Sequence, residues 1–290
     1  MINELTFIRG AAIRSDLLYV LTKGKALLEK DIAHTATLSL YQGQWAYAET
    51  TDWDSSAIAI ANLPTECLVF IGEDGDVCTY TEGQITREKL FPIPKMIRNA
   101  KTISGYVFAC GMLRQVYHRT NEGIWKNISA TSPKAEEKVG FEAIDGFSLN
   151  EIYAVGWSGE IWEYFDSKWI ARSSPTNLIL TSVCCAPDNS VYIGGQNGTL
   201  IKGRNDSWEI IQWEDDIDID IWDLHWFQNK LYVATIRNLY TLEGNTLVDV
   251  NFGETDITSC FNLTEAEGVM WSIGHEDVLS FDGNKWQKYN

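Results

Sequence analysis

The stretch EIYAVGWSGEIWEY, residues 151–164, carries the pattern that decides the fold. An apolar run ends at a glycine, two residues and a second glycine follow, and another apolar run then begins. The segments CLVFIGEDGDVCTY at 67–80 and SVYIGGQNGTLIKG at 190–203 superpose on it without a gap. Short apolar runs separated by glycine turns are typical of paired β-strands. Each segment therefore predicts two adjacent strands joined by a tight turn.

Weaker copies of this pattern occur along the rest of the chain. They are LLYVLTKG at 17–24, YVFACGMLRQVYHR at 106–119, KLYVATIRNLYTL at 230–242 and VMWSIGHEDVLSF at 269–281. The residues aligned with Ile152, spaced by 39 to 50 positions, are Leu18, Leu68, Val107, Val191, Leu231 and Met270. Seven units of about forty residues predict an all-β fold, a seven-bladed β-propeller of four-stranded antiparallel blades.

The two further strands of each unit are predicted by the sequence on either side of the pair. An apolar run such as DLHWF at 223–227 precedes the pair, and a polar turn follows it. In five units this turn leads to a tryptophan: Trp45, Trp125, Trp169, Trp208 and Trp286. We name the four strands of a unit A to D in chain order. The single predicted domain, 1–290, has blades at about 4–50, 55–90, 97–129, 140–173, 178–214, 217–252 and 256–290.

The repeat resembles the wider family of WD-repeat, Kelch and sialidase-like propellers. It is most similar to the glycine-plus-tryptophan repeats of photosystem II assembly propellers, and the resemblance covers nearly the whole chain. The Gly-His and Trp-Asp signatures of true WD repeats are absent from the sequence. FDGNKW at 281–286 matches the sialidase Asp-box turn only in part. The resemblance therefore implies the fold and carries no activity with it.

Composition limits the classes of partner. With 40 acidic and 23 basic residues, the net charge is −17, which disfavours nucleic acid and favours cations or a basic protein, although solubility also accounts for an acidic surface.

The six cysteines show no CxxC spacing, so neither a disulfide nor zinc is expected, and no cofactor is indicated. The N-terminus lacks a signal-peptide pattern and no apolar run is long enough for a membrane span, so a cytoplasmic location is expected.

The acidic stretch WEDDIDIDIWD at 213–223 has two interpretations. Three aspartates alternate from Asp216 as they do in a calcium loop. An EF-hand loop counted from Asp216 requires glycine where Ile221 stands and glutamate where Phe227 stands. The isoleucines of the stretch alternate with its acids, the period of a half-buried strand. The sequence thus favours a strand entrance with a solvated acidic face, leading from blade 5 into strand A of blade 6, over a metal site.

Two connections are longer than the repeat requires. KGKALLEKDIAHTAT at 23–37 joins strands B and C of blade 1, with one or two helical turns predicted around 26–32. SATSPKAEEKVG at 129–140 joins strand D of blade 3 to strand A of blade 4. In a four-stranded blade, B-to-C and D-to-A connections lie on the same face. Longer loops often carry recognition, so this face is the predicted binding surface.

Aromatic and acidic residues on these connections form the candidate partner-binding set. They are Trp53, Asp54, Glu73, Asp74, Trp157, Trp213, Asp215, Asp216, Glu254, Asp256, His275 and Glu276. Exposed aromatic rings beside carboxylates suit a partner that presents Arg and Lys. The alternative is that the tryptophans wedge between blades and the acids are merely solvated.

Catalytic signatures are absent: the chain has no HExxH, GxSxG or GxxxxGK[ST], and its four histidines are dispersed. We therefore expect a monomeric, non-enzymatic propeller whose acidic face binds a basic protein, for example an immunity protein that neutralises a toxin domain such as a nuclease. One alternative is a glycan hydrolase or lyase in which carboxylates such as Asp54 and Glu73 act as acid and base. An assembly scaffold is another.

Overall fold

A computed structural model of the chain describes residues 2–131, 139–213 and 219–290. Within these residues there are 28 strands and a single α-helix, α1 (Lys25–Leu28). The strands form seven four-stranded sheets in which strands adjacent in sequence are paired. The predicted fold class is confirmed: the chain is a seven-bladed β-propeller with four-stranded antiparallel blades, and α1 lies in the connection where helix was expected.

The strands group into two compact units by their internal contacts. Unit 1 comprises Met1–Ser55 and His225–Asn290, and contains sheets 1 and 7 with nearly all of sheet 6. Sheet 1 is β1 (Leu5–Arg14), β2 (Leu17–Gly24), β3 (Thr35–Tyr41) and β4 (Gln44–Thr51). Sheet 6 is β21 (Asp223–Phe227), β22 (Lys230–Ala234), β23 (Leu239–Glu243) and β24 (Thr246–Asp249). Sheet 7 is β25 (Asn262–Ala266), β26 (Val269–Ile273), β27 (Val278–Phe281) and β28 (Trp286–Lys288).

Unit 2, Ser56–Leu224, contains the other four sheets. Sheet 2 is β5 (Ser55–Ala61), β6 (Cys67–Gly72), β7 (Asp76–Thr81) and β8 (Gln84–Lys89). Sheet 3 is β9 (Ile97–Ile103), β10 (Tyr106–Gly111), β11 (Gln115–Asn121) and β12 (Ile124–Asn127). Sheet 4 is β13 (Phe141–Ser148), β14 (Glu151–Gly156), β15 (Ile161–Phe165) and β16 (Lys168–Arg172). Sheet 5 is β17 (Leu180–Cys185), β18 (Val191–Gly195), β19 (Leu200–Arg204) and β20 (Ser207–Ile210).

The core lies between the faces of neighbouring sheets within each unit. In unit 2, buried Val69 of β6 belongs to the same apolar cluster as Val107 and Tyr117 of sheet 3. The repeated tryptophans all fall in D strands, as expected. Trp169 packs 5.7 Å from the ring of Phe141, and its Nε1 donates to the carbonyl of Ile128 at 2.5 Å. Apart from the half-buried Arg172, the rest of the D strand is exposed, so this tryptophan covers the core edge that the strand leaves open.

Strand A of sheet 6 begins later than the alternation of isoleucines and acids indicated. The acidic stretch leads into strand A as expected, but the strand does not begin within its described residues 219–222, because β21 starts at Asp223; residues 214–218 lie outside the described ranges. Here the N–H of Ile221 donates to Gly195 and the carbonyl of Ile219 accepts from Gly198, both in sheet 5 or its turn. The backbone thus bonds to the preceding sheet, so the buried Ile221 reflects a packed connection.

The cysteines are small core residues. None of the six, all of which lie in the described ranges, is joined in a disulfide; Cys185 is half-buried and the other five are buried. No helix of the described ranges has the length and apolar character of a membrane span.

Candidate partner-binding end of the sheets

In each antiparallel sheet, the B-to-C turn and the D-to-A connection lie at the same end, which we call the BC end. The candidate residues that the structure describes lie there. They are Trp53 and Asp54 after β4, Glu73 and Asp74 after β6, Trp157 after β14, Trp213 after β20, Glu254 and Asp256 after β24, and His275 and Glu276 after β26. Asp215 and Asp216 lie outside the described residues.

In unit 1, the carboxylate of Asp54 is engaged in contacts with neighbouring residues of its own unit. Its carboxylate forms an ion pair with Lys23 Nζ at 2.7 Å and accepts from the N–H of His34 at 3.1 Å. The neighbouring Trp53 is half-buried, and its carbonyl accepts from the hydroxyls of Thr35 and Thr51, each at 3.0 Å. Asp54 therefore fastens both ends of the long B-to-C connection to strand D, a structural task that the sequence did not indicate.

A second group of unit 1 gathers around Lys288. Its Nζ forms an ion pair with the buried Asp277 at 2.6 Å and donates to the carbonyl of Asp256 at 3.0 Å. Asp277 also accepts from the N–H groups of Thr258 and Ser259, each at 2.8 Å. Burial opposes ionisation, but these hydrogen bonds outweigh it and lower the pKa of the Asp277 carboxyl. The contacts bring the D-to-A connection that holds Asp256 against the B-to-C turn that holds His275 and Glu276.

The side chains of that turn and connection stay accessible. His275 and Glu276 are exposed, and so are Glu254 and Asp256. The His275 ring lies 5.1 Å from the ring of Phe261. These four predicted residues are thus exposed on two loops of unit 1 that the contacts of Lys288 and Asp277 hold together.

In unit 2, Trp157 is half-buried in the B-to-C turn of sheet 4. Its Nε1 donates to Glu142 Oε1 at 2.5 Å, and the same carboxylate accepts from Arg98 Nε at 3.0 Å. This arrangement fits the wedge alternative better than a free aromatic anchor, because the indole hydrogen bond joins the turn to two A strands.

The turn that holds Glu73 and Asp74 is close to the start of β9. The carbonyl of Glu73 accepts from the N–H of Ile97 at 2.9 Å, and Ile97 is followed by Arg98, which pairs with Glu142. The structure therefore connects the Glu73 turn to the Trp157 turn through β9. Asp74 is exposed and Glu73 is half-buried.

The sequence missed a charged cluster on the A strands of unit 2. Asp145 accepts from the N–H groups of Gly146 and Cys185, each at 2.9 Å. Burial opposes the charging of Lys101, but the carboxylates of Asp145 and Asp223 outweigh it and raise the pKa of its ammonium. Because these residues lie on three different A strands, no spacing along the chain indicates their proximity.

The sequence also missed exposed apolar side chains at the BC ends. In unit 1 the connection that contains α1 exposes Leu27, Leu28 and Ile32 by 38%, 42% and 47%. In unit 2 the connection between β8 and β9 exposes Phe91 by 78% and Ile93 by 62%. The motif FPIP at 91–94, apolar residues in a loop between strands, was the available signal.

Metal coordination has no candidate among residues 2–131, 139–213 and 219–290, where no three His, Cys, Asp or Glu side chains are grouped to hold an ion. The carboxylates of Asp54 and Glu73, proposed as an acid and base, are in different units, and that of Asp54 is engaged with Lys23.

Comparison with known proteins gives one full-length relative among curated sequences. No protein-family model matches the chain. The chain is 44% identical over 294 residues to the immune protein Tsi7 of Pseudomonas aeruginosa, a match that covers 97% of this chain and 96% of that protein.

Solved structures of low sequence identity share the fold. The WD40 β-propeller domain of Doa1 has a TM-score of 0.74 at 12% identity, covering 96% of this chain and 92% of that one. YCF48 bound to D1 peptide has a TM-score of 0.69 at 13% identity, covering 94% and 90%. Virginiamycin B lyase from Staphylococcus aureus has a TM-score of 0.67 at 14% identity, covering 81% and 83%. At these identities the likeness extends to the propeller fold alone.

Proposed function

The chain belongs to the family of the immune protein Tsi7, and from this premise we propose that it is a non-enzymatic immunity protein that captures and neutralises a toxin domain. The observation that carries the proposal is the 44% identity, which extends over 97% of the chain and so includes the loops as well as the strands. An immunity protein acts by occupying its partner, which requires a rigid scaffold with accessible loops.

We further propose that the partner surface is basic. The chain has a net charge of −17, and exposed carboxylates at the BC ends include Asp74 in unit 2 and Glu254 in unit 1. Such a surface accelerates association with a cationic protein and disfavours anionic competitors. A nuclease is one toxin class that fits, because the site that binds its nucleic-acid substrate is itself cationic.

The direct experiment is co-expression with the product of the reading frame beside this chain's gene. We expect cells that express that product alone to stop growing, and cells that also express this chain to recover. The purified pair should form a complex of defined stoichiometry in light scattering. If neither protection nor a complex is observed, the immunity proposal fails. Fractionation of the producing cells tests the cytoplasmic location that the proposal includes.

The rival function, glycan hydrolysis or elimination, makes a different prediction. A sugar library should be turned over by the isolated chain, and the turnover should be lost when Glu73 is replaced by Gln. The ion pair of Asp54 with Lys23 argues against an acid and base at these positions. A scaffold would instead bind several proteins of one assembly without rescuing growth.

A further inference from the structure

The connection between β8 and β9 in unit 2 displays three consecutive apolar residues to solvent. Phe91 is 78% exposed, Ile93 is 62% exposed, and Pro92 between them is also exposed. We call Phe91, Pro92 and Ile93 the FPI patch. Single exposed apolar side chains are common on protein surfaces. A phenylalanine and an isoleucine that are both mostly exposed within three residues contribute little to folding, and therefore require another explanation.

The backbone under the FPI patch is held at both ends. The N–H of Leu90 donates to the carbonyl of Gly75 at 2.9 Å, and the N–H of Ile97 donates to the carbonyl of Glu73 at 2.9 Å. Leu90 itself is fully buried, so the segment enters the patch from the core. Both anchoring carbonyls belong to the B-to-C turn of sheet 2, which fixes the segment against that turn.

Side chains of sheet 3 hold the middle of the segment. The hydroxyl of Tyr117 donates to the carbonyl of Pro92 at 2.6 Å, and the N–H of Lys95 donates to Gln115 Oε1 at 2.8 Å. Pro94 is buried, and a Cβ added to Gly75 would approach its ring to 2.6 Å. A loop bonded at four points and stiffened by two prolines loses little conformational entropy when a partner binds.

We propose that the FPI patch is an apolar anchor for the toxin domain, inserting Phe91 and Ile93 into an apolar pocket that is bordered by Lys or Arg side chains. This inference rests on the proposed function and deepens it by locating the contact. Aromatic side chains surrounded by polar residues are the usual centres of binding energy in interfaces.

The charge of the chain argues for this partner. Exposed Asp74 precedes Gly75, the residue that contacts both Leu90 and Pro94, so a carboxylate borders the apolar residues. Lys95, exposed at the other end of the segment, is followed after two residues by Arg98, which Glu142 neutralises. The border thus presents one acid and one base, and the net charge of −17 of the whole chain favours a basic toxin over a second copy of this chain, which would be repelled.

The test measures binding of the full chain to the product of the neighbouring reading frame, carrying a substitution that abolishes its toxicity. The double variant Phe91→Ser with Ile93→Ser should weaken binding by roughly thirtyfold or more in calorimetry, with an unchanged melting temperature. Phe91→Leu, which keeps an apolar side chain, should retain more affinity than Phe91→Ser. The matched control is Phe165→Ser, at a residue that is 53% exposed at the opposite end of sheet 4 from Trp157, and its affinity should equal that of the unmodified chain.

Each outcome decides between the two proposals. If the unmodified chain binds and the double variant binds equally well, the FPI patch is not the anchor and the immunity proposal stands. If the unmodified chain does not bind, both proposals fail. Sedimentation of the unmodified chain alone tests the other occupant: a dimer that Phe91→Ser dissociates would assign the patch to self-association and overturn the inference.

Discussion

The carboxylate of Glu88 in β8 forms a bidentate ion pair with the guanidinium of Arg119 in β11. Nε lies 3.1 Å from Oε2, Nη2 lies 2.7 Å from Oε1, and both side chains are only 2% exposed. The same carboxylate accepts from the N–H of Gly123 at 2.8 Å and from Trp125 Nε1 at 2.7 Å. The ion pair thus joins the D strand of sheet 2 to sheet 3. The repeated tryptophan of sheet 3, Trp125, is one of the donors to the Glu88 carboxylate.

Replacing Glu88 by Ala should lower the free energy of unfolding by about 3–5 kcal/mol, because the Arg119 charge is left buried without its counter-ion. Urea denaturation monitored by tryptophan fluorescence measures the change. Glu209→Ala, on the exposed strand β20, is the control and should change stability by less than about 0.5 kcal/mol. Equal stability of the Glu88 variant and the control would show that the pair contributes nothing.

The same carboxylate predicts a pH dependence. Burial opposes ionisation of Glu88, but the hydrogen bonds from Arg119, Gly123 and Trp125 outweigh it and lower the pKa of this carboxyl. A group with a lowered folded-state pKa contributes stability that is fully present above its unfolded pKa, about 4.3 for Glu, and is lost as the pH falls through the folded value. The melting temperature of the unmodified chain should therefore fall more steeply below about pH 4 than that of Glu88→Gln.

In the Glu88→Gln variant, part of the loss of stability at acid pH remains, because the pKa of the Asp277 carboxyl is lowered as well. The fall in melting temperature at acid pH should therefore be smaller in Glu88→Gln but should not disappear. If the melting temperatures of the two proteins fall equally steeply, Glu88 has the same pKa in the folded and unfolded chains.

The fold could be predicted because its signals are local, whereas the site depends on contacts between distant segments. Glycines and tryptophans such as Gly156 and Trp169 recur in most units because the blades share the same turn and the same cover for the D strand. The alternation predicts a strand at Ile221 because a buried connection and a strand edge have the same apolar pattern, and only the hydrogen bond from Ile221 to the Gly195 carbonyl distinguishes them. Likewise, no spacing indicates that Asp54 is paired with Lys23.

Trp157 distinguishes a structural wedge from a binding anchor. Trp157→Phe keeps an aromatic ring but removes one donor to Glu142, which keeps its ion pair with Arg98, so we expect a loss of about 1.5–3 kcal/mol of stability from the missing hydrogen bond to a charged acceptor. Affinity for the toxin domain should change little. Thermal unfolding and calorimetry on the same preparations separate the two quantities. Unchanged stability together with a large loss of affinity would restore Trp157 as an anchor.

Asp54 and Asp74 provide a matched pair for the role of the acidic residues, because each is an aspartate at the BC end of a sheet. Among the described residues, Asp54 is ion-paired with Lys23 at 2.7 Å, and Asp74 has no such pair. Asp54→Asn should lower stability by about 0.2–1 kcal/mol through the lost pair and leave the association rate nearly unchanged. Asp74→Asn should leave stability unchanged, because the side chain is exposed, and should slow association with the toxin domain.

This slowing of association by Asp74→Asn should be largest at low ionic strength and should fade above about 0.15 M salt, where charges more than about 8 Å apart are screened. Stopped-flow association at several salt concentrations measures it, with the dissociation rate as an internal reference. Equal association rates for Asp74→Asn and the unmodified chain at low salt would remove the Glu73 turn from electrostatic steering and leave its loop contacts with β9 as its only role.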